Sequence, residues 1–258
     1  MPNIVLITGA SSGLGREFAR QVDAGAIDDV TEIWAVARRA DRLEALVRTS
    51  STPVRPFCLD LTDPISYSIL ESALAETACA NVRLLVNNAG IAVFGRFARQ
   101  RQDAAPRMAQ LLMRAPVELI YRVLPYMRSG SRIIDISSVA AFLPQPDLAV
   151  YAAAKRFILD VTRALNAELE DVGICATAVC PKFMKTEFLD DPGDASAARQ
   201  MSAIGFERID RVARAALKAS EEGRDLCIPA LDMRVLYALT HVIPYRVLLG
   251  VQRSLASR

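Results

Sequence analysis

The stretch that decides the fold lies near the start of the chain and reads Ile4-Val-Leu-Ile-Thr8-Gly9-Ala10-Ser11-Ser12-Gly13-Leu14-Gly15. It begins as a short apolar run typical of a buried strand, and the following residues 14–22 are amphipathic with helical spacing. Glycines at such a turn let the backbone approach a pyrophosphate closely, and the helix start offers its amides to that anion. The motif predicts a dinucleotide site, with a plain tight turn as the alternative. The predicted contacts are Gly9, Ser11, Ser12, Gly13, Leu14 and Gly15.

Short apolar runs alternate with amphipathic stretches along the rest of the chain. The predicted strands are Ile4–Thr8, Ile33–Ala37, Val54–Leu59, Leu84–Asn87, Arg132–Ser137, Ile174–Cys180 and Leu226–Ile228. The predicted helices are 14–22, 42–47, 65–78, 104–127, 150–171 and 208–220. This alternation is typical of right-handed βαβ units. It predicts an α/β fold, namely a single-domain Rossmann-type doubly wound parallel sheet flanked by helices, with a C-terminal helical tail.

Composition excludes several classes of function. A formal net charge of +2 over 258 residues gives no strong attraction to nucleic acid, and no apolar run is long enough to span a bilayer. No signal peptide precedes the first apolar run. The five cysteines lack metal-binding spacing and are predicted to be reduced core thiols, while the single His241 is predicted to be buried. The sequence therefore predicts a cytoplasmic protein without a metal site.

The end of the second predicted strand bears on which cofactor is preferred. It reads Ala37-Arg38-Arg39, where a carboxylate would bind the ribose 2′-hydroxyl of NAD and an arginine suits the 2′-phosphate of NADP. Arg38 therefore favours NADP(H) over NAD(H), with Arg39 and Arg42 as auxiliaries. The alternative is a solvated basic helix start.

The third predicted strand ends at a second candidate cofactor contact. Asp60 follows it and can accept hydrogen bonds from an adenine amino group or from the backbone, with Leu61 beside it. Asp60 can equally cap the next helix, although Asp63 is the better candidate for that cap.

A tyrosine and a lysine four residues apart suggest acid/base chemistry. Tyr151 and Lys155 would share one face of a helix, and Ser138 could reach the phenol from a strand end. A phenol has a pKa of roughly 10, which a nearby ammonium lowers, and a hydroxyl can hold the same substrate oxygen. The trio predicts a site that interconverts an alcohol and a carbonyl. The alternative is a surface contact between tyrosine and lysine.

These motifs follow one another in a recognisable order. They are the glycine loop 8–15, Asn87-Asn88-Ala89-Gly90, Ile136-Ser137-Ser138, Tyr151 with Lys155, and Cys180-Pro181 followed by Thr186. In this order and spacing the chain resembles the classical-type short-chain dehydrogenase/reductase family over residues 3–230. The resemblance implies an NAD(P)(H)-dependent oxidoreductase that forms a homodimer or homotetramer.

The resemblance also implies a role for individual residues. Tyr151 would be the general acid/base, Lys155 would lower its pKa and bind the nicotinamide ribose, and Ser138 would orient the substrate oxygen. The cofactor contacts that it implies are Asn87, Ala89, Gly90, Tyr151, Lys155, Pro181 and Thr186.

Three positions depart from the family pattern. Leu112 stands where the family usually has a catalytic asparagine, which holds a water that links the lysine to solvent. Lys182 replaces a common glycine and would place a cation near the nicotinamide or the pyrophosphate. Ala154 replaces a frequent serine, which is a minor change.

The remaining expectations concern the substrate and the ends of the domain. Residues 1–230 are predicted to form the dinucleotide-binding and catalytic domain, with 186–206 as a lid. Residues 231–258 are predicted to be an amphipathic C-terminal extension packed on that domain or on a subunit partner, which is favoured over peripheral membrane contact. The predicted substrate side is apolar and consists of Ala140, Ala141, Phe142, Leu143, Phe183, Met184, Phe188 and 201–206.

Together these features predict an NADP(H)-dependent enzyme that interconverts a lipophilic ketone or aldehyde and its alcohol. The alternative, supported by Leu112, is an NADP-binding sensor or subunit partner with weak or no turnover.

Overall fold

The computed structural model describes residues 1–187 and 205–243, together with 247 and 250. The strands in this part are β1 Asn3–Thr8, β2 Glu32–Ala37, β3 Val54–Cys58, β4 Asn81–Asn87, β5 Arg132–Ile136, β6 Cys175–Val179, β7 Phe183–Met184, β8 Phe206–Glu207 and β9 Leu226–Cys227. The helices are α1 Gly13–Asp23, α2 Ala40–Thr49, α3 Ile65–Glu76, α4 Ala104–Ala109, α5 Ala115–Val123, α6 Ala149–Glu168, α7 Ile209–Glu221 and α8 Leu231–Thr240.

Seven of the described strands form one parallel sheet in the order β3-β2-β1-β4-β5-β6-β9. The predicted Rossmann-type fold is confirmed, and each of its seven predicted strands is present with ends that differ by a few residues. The short pair β7 and β8 was not predicted, because two residues leave no periodic pattern in a sequence.

Helices cover both faces of the sheet. On one face α1, α2 and α7 bury Phe18, Leu43 and Leu217 in one apolar cluster, with α7 lying over β5 and β6. On the other face α3 and α5 bury Tyr67 and Leu119, among others. Because both faces are covered, the strands read as continuous apolar runs rather than as alternating ones.

The predicted helix 104–127 is wrong as a single element. After α4 the chain forms one wide π turn at Gln110–Arg114, then α5, then a 3₁₀ turn at Leu124–Tyr126. Two prolines explain the interruptions. Pro116 has no N–H to donate to the carbonyl four residues earlier, and Pro125 ends α5 in the same way.

The first part of the C-terminal tail packs on the sheet domain. The ring of Tyr237 on α8 packs against Phe142 at an interplanar angle of 55°, with ring centroids 4.8 Å apart, and its hydroxyl accepts a hydrogen bond from Arg163. The opposite side of α8 exposes Leu231, Val235 and Leu239. None of the described helices combines the length and the apolarity that crossing a bilayer requires.

Two predictions of burial need correction. Cys58 and Cys79 are exposed rather than core thiols, because Cys58 lies on the outermost strand of the sheet and Cys79 lies in a turn with φ of 55°. His241 is also exposed, because it follows the last residue of α8 at the surface. The predicted lid at 186–206 and the end of the tail fall largely outside the described residues.

The strand order reverses between β1 and β4, so their carboxyl ends open into a crevice. The turn after β1 lies very close to the end of β4 there. A Cβ added to Gly15 would lie 2.3 Å from the Gly9 carbonyl oxygen and 2.6 Å from the Asn88 side-chain nitrogen. The loop closes only because no side chain stands between these backbones.

We therefore expect Gly15→Ala to lower the free energy of unfolding by roughly 2–3 kcal/mol, since the clash is mainly with backbone. Gly223→Ala is the control. Gly223 has φ of 70° and open space around its Cα, so this change adds only conformational strain of about 1 kcal/mol. Urea denaturation measures both, and equal losses would contradict the close-approach argument.

Candidate active site

The crevice contains a cavity of about 710 Å³. The residues that line it extend from the glycine loop to Lys155. Most of the predicted site residues line this cavity: Gly9, Ser11, Ser12, Gly13, Leu14, Arg38, Asp60, Leu61, Ala89, Gly90, Ser138, Tyr151, Lys155, Pro181 and Thr186. Gly15 and Asn87 do not line the cavity. Gly15 packs beneath the loop, and Asn87 is buried while its neighbour Asn88 lines the cavity.

The glycine loop has the backbone that its sequence requires. Gly9 and Gly13 have φ of 69° and 51°, and the Gly9 amide donates to the Val36 carbonyl at 2.8 Å. Ser12 precedes α1 and makes no side-chain capping bond, so its hydroxyl does not occupy the amides of the first helical turn. Such amides suit an anion.

Thr8 joins the glycine loop to the end of β4. Its buried hydroxyl accepts hydrogen bonds from the amides of Asn88 and Ala89 at 2.9 and 3.0 Å and donates to the Val86 carbonyl at 3.2 Å. One side chain thus fixes the floor of the crevice. Sequence reasoning did not single out Thr8, although a polar residue that ends an apolar run was the available signal.

An ion-pair cluster lies at the edge of the cavity beside the predicted 2′-phosphate position. Arg39 contacts Glu187 at 2.6 Å and donates to the hydroxyls of Ser11 and Ser12 at 3.2 and 2.8 Å. Arg42 contacts the other oxygen of Glu187 at 2.5 Å. Arg38 is exposed and lines the same wall. Sequence reasoning had no signal for Glu187, because its partner lies 148 residues away.

Asp60 is held mainly by its own turn. One carboxylate oxygen accepts from the amide and hydroxyl of Thr62 at 2.9 and 2.8 Å, and the other lies 3.5 Å from Arg107. Burial alone would raise the pKa of Asp60. The hydrogen bonds from Thr62, together with the positive charges of Arg38 and Arg107, outweigh burial, so the pKa of Asp60 is lowered. Asp63 accepts from the Ile65 amide at 3.0 Å, but the N-cap position of α3 is Pro64 rather than the predicted Asp63.

The proposed acid/base groups meet on the inner wall of the cavity. Lys155 donates to the Ile136 carbonyl at 2.6 Å, and its ammonium lies 5.7 Å from the centre of the Tyr151 ring. The Ser138 hydroxyl accepts from the Ala140 amide at 3.1 Å.

Burial dominates the ionisation of both groups. It raises the pKa of Tyr151 to about 12, against an opposing hydrogen bond with Ser138. It lowers the pKa of Lys155 to about 8. The expected lowering of the phenol pKa by Lys155 is therefore not seen in this state, because desolvation of the phenolate is the larger effect. Tyr151 is a protonated acid at neutral pH.

The three departures have distinct surroundings. Leu112 is buried in the π turn and borders a small cavity together with Lys155. Lys182 lines the large cavity, but its ammonium pairs with Asp232 of α8, so its charge is neutralised there. Ala154 is buried and lies against an apolar cluster.

The structure brings together only some of the residues predicted to form the apolar substrate side. Phe183 and Met184 line the cavity. Ala141 and Phe142 instead pack under α8, because the short helical turn that contains them faces the tail. Phe188 and 201–204 lie outside the described residues. The described residues contain no cluster of side chains suited to a metal ion.

Sequence comparison relates residues 3–196 to the family model described as short chain dehydrogenase. Sulfoacetaldehyde reductase 2 of Chromohalobacter salexigens is 36% identical over 199 residues, 73% of this chain and 75% of the relative. An oxidoreductase of Staphylococcus saprophyticus is 31% identical over 243 residues, 90% of this chain and 95% of the relative.

Solved structures share the fold. A short-chain dehydrogenase from Sphingobium yanoikuyae in complex with NADPH has a TM-score of 0.77 and 29% identity, covering 100% of this chain and 96% of that one. A Burkholderia phymatum protein of the same kind in complex with NAD has a TM-score of 0.80 at 20% identity, covering 93% of each chain, a likeness of fold alone.

Thr8→Val should weaken the floor of the crevice, because two buried amides lose their acceptor. We expect the free energy of unfolding to fall by roughly 2–3 kcal/mol. Thr8→Ser is the matched control, since it keeps the hydroxyl and loses only a methyl group, worth about 1 kcal/mol. Denaturant titration checks both, and a Ser variant as unstable as the Val variant would rule out the hydroxyl as the cause.

Proposed function

The chain belongs to the short-chain dehydrogenase family and is an oxidoreductase, and from this premise we propose that it uses NADP(H) to interconvert an apolar ketone or aldehyde and its alcohol. The observation that carries the proposal is that Ser138, Tyr151 and Lys155 line one cavity with the glycine loop, with the Lys155 ammonium 5.7 Å from the centre of the Tyr151 ring. A buried acid and a hydroxyl are the pair that a carbonyl oxygen needs for protonation and orientation.

The residues around the glycine loop fit a dinucleotide. Gly9 and Gly13 leave space that a Cβ would fill, since a Cβ on Gly13 would come within 3.1 Å of Thr186. The first amides of α1 suit the pyrophosphate, and Arg38 and Arg39 suit an added phosphate. When bound, a nicotinamide cofactor would supply or accept the hydride.

Three side chains on the cavity wall would carry out the proton transfer. In the reducing direction Tyr151 gives its phenolic proton to the substrate oxygen as the new alcohol forms. Ser138 donates a hydrogen bond to that oxygen and so fixes its position. Lys155, charged below its pKa of about 8, stabilises the phenolate that remains until a proton returns to it.

The preference for NADP(H) rests on the basic cluster at the end of β2. Arg38, Arg39 and Arg42 concentrate positive charge there, and Glu187 already engages two of them as a carboxylate. A 2′-phosphate makes the same kind of charge-assisted bonds with greater charge. The Sphingobium yanoikuyae relative was solved with NADPH, which agrees with this preference.

An apolar substrate is favoured by the described walls of the cavity. Ile91, Phe183 and Met184 are apolar residues of its lining. A relative is named for sulfoacetaldehyde, whose sulfonate needs a cation, yet Lys182 of this lining is paired with Asp232. We therefore favour an uncharged ketone or aldehyde and keep sulfoacetaldehyde as the contrasting member of a substrate panel.

We further propose a cytoplasmic homodimer or homotetramer, with residues 1–230 as the catalytic domain and the tail packed on it or on a subunit partner. The alternative of a sensor with weak turnover rests on Leu112 alone. Relatives named as reductases and oxidoreductases oppose it.

Tyr151→Phe should lower kcat at least about 100-fold, because the acid is removed while the ring remains. NADPH affinity should stay within about threefold of the parent value. Tyr121→Phe makes the same chemical change at an exposed position and should leave turnover unchanged. Stopped-flow single turnover and fluorescence titration measure the two quantities. Full activity in the Tyr151 variant would remove it from the mechanism.

Arg38→Ala and Arg39→Ala should each weaken NADPH binding by about 10-fold or more, since each loses a charge-assisted bond to phosphate. NADH binding should change by less than about threefold. Arg48→Ala removes an exposed arginine from α2, the helix that follows these two residues, and serves as control. Fluorescence titration with both cofactors decides, and a parent protein that binds NADH more tightly would overturn the NADP(H) assignment.

A further inference from the structure

A fully buried carboxylate lies next to the acid/base site without a role in the mechanism above. Asp135 is the penultimate residue of β5, near its carboxyl end, and has no exposed surface. It accepts hydrogen bonds from the Asn87 amide nitrogen at 2.8 Å and from the Thr162 hydroxyl at 2.7 Å. Burying a carboxylate is costly even when it is hydrogen-bonded, and a buried asparagine would pack equally well here. Packing alone therefore does not account for an aspartate.

The position of Asp135 connects it to Lys155. The next residue on β5, Ile136, provides the carbonyl that accepts from the Lys155 ammonium. Thr162 lies seven residues after Lys155 on α6, two helical turns along the same face. The carboxylate and the ammonium are thus held by the same strand and the same helix face.

Asn87 forms a second link between them. Its amide nitrogen is committed to Asp135, and its amide oxygen is buried without a hydrogen-bond partner among the described residues. Asn87 and Lys155 both line a small cavity of about 10 Å³, bordered by Leu112. This volume suits about one water molecule. The Asn87 amide oxygen, which Asp135 orients, therefore borders this small cavity. Leu112 lines the same cavity and offers no polar side chain to it.

The other ionisable groups that face Lys155 are uncharged near neutral pH. Burial raises the pKa of the Cys180 thiol, at the end of β6, to about 12, and that of Tyr151, one turn away on α6, to about 12. Asp135 has a pKa raised to about 6 by burial, so it is ionised above that pH. Among the described groups that act on Lys155, it is the one anion.

We propose that Asp135 is a positioning residue: its carboxylate keeps Lys155 charged inside the protein and orients the Asn87 amide toward the space beside it. This inference rests on the proposed function, because a charged Lys155 matters only where Tyr151 exchanges protons. Asp135 and Asn87 thus give Lys155 polar partners in this chain. They stand in for the usual family asparagine, whose position is occupied by Leu112 here. The role is electrostatic, and no proton passes through Asn87.

The sign of the effect is fixed by charge. A nearby carboxylate raises the pKa of an ammonium, so Asp135→Asn should lower the pKa of Lys155 by about one unit. The chain has four lysines, which makes the ε-carbon resonances of labelled lysine simple to assign with a Lys155→Met variant. Nuclear magnetic resonance titration of the cofactor-free protein then measures the pKa directly. In the parent protein the Lys155 resonance should also show a second inflection near pH 6, where Asp135 titrates.

Two controls separate charge from packing. Asp160→Asn removes the same charge from an exposed position on α6, where it pairs with Arg156. Thr162→Val removes a buried hydrogen bond but keeps the carboxylate. Both should leave the Lys155 titration within about 0.3 unit of the parent value. Thermal unfolding of each variant verifies that it is folded, and the parent inflection near pH 6 tests the idea even if Asp135→Asn does not fold.

Kinetics provide the second readout. The alkaline limb of the pH profile of kcat/KM for reduction should move to lower pH in Asp135→Asn by the same amount as the Lys155 pKa. An unchanged Lys155 titration, or equal shifts in Asp135→Asn and Thr162→Val, would overturn the inference. If no carbonyl compound is reduced, the proposed function fails, while the titration still decides the role of Asp135.

Discussion

The structure depends on one close backbone approach, where the turn after β1 meets the end of β4. Gly9 and Gly15 leave no Cβ in the gap, and the Thr8 hydroxyl ties the amides of Asn88 and Ala89 across it. This contact sets the crevice at the point where the strand order reverses. The groups of the candidate site are placed relative to it: several lie at the carboxyl ends of the strands on either side of the crevice, whereas Tyr151 and Lys155 lie on α6.

Local patterns in the sequence were sufficient for the fold. Apolar runs such as Ile4–Thr8 identify buried strands, and glycines between a strand and a helix identify the loop, since both signals lie within a few consecutive residues. The break at 110–114 was not predicted, although Pro116 supplies its cause. Pro116 cannot donate a hydrogen bond to the Leu112 carbonyl, which interrupts the helix. The residues on both sides of this break keep amphipathic helical spacing, so the spacing alone predicts one continuous helix.

The candidate site was predictable where motifs are short and unpredictable where partners are distant. Tyr151 and Lys155 are one helical turn apart, so their proximity follows from spacing. Glu187 and Asp135 acquire their partners only through the folded chain. The sequence shows the charge beside the Tyr151 phenol but not the burial of that phenol, and burial raises its pKa.

The bond between Lys182 and Asp232 has an implication for how such proteins diversify. The matched family region ends at residue 196, whereas Asp232 lies beyond it on α8. The Lys182 ammonium, which lines the cavity, is thus paired by a residue from a part of the chain outside the matched region. Divergence of that terminal helix alone can pair or unpair this cation, and so change the charge of the cavity wall, while Ser138, Tyr151 and Lys155 stay unchanged.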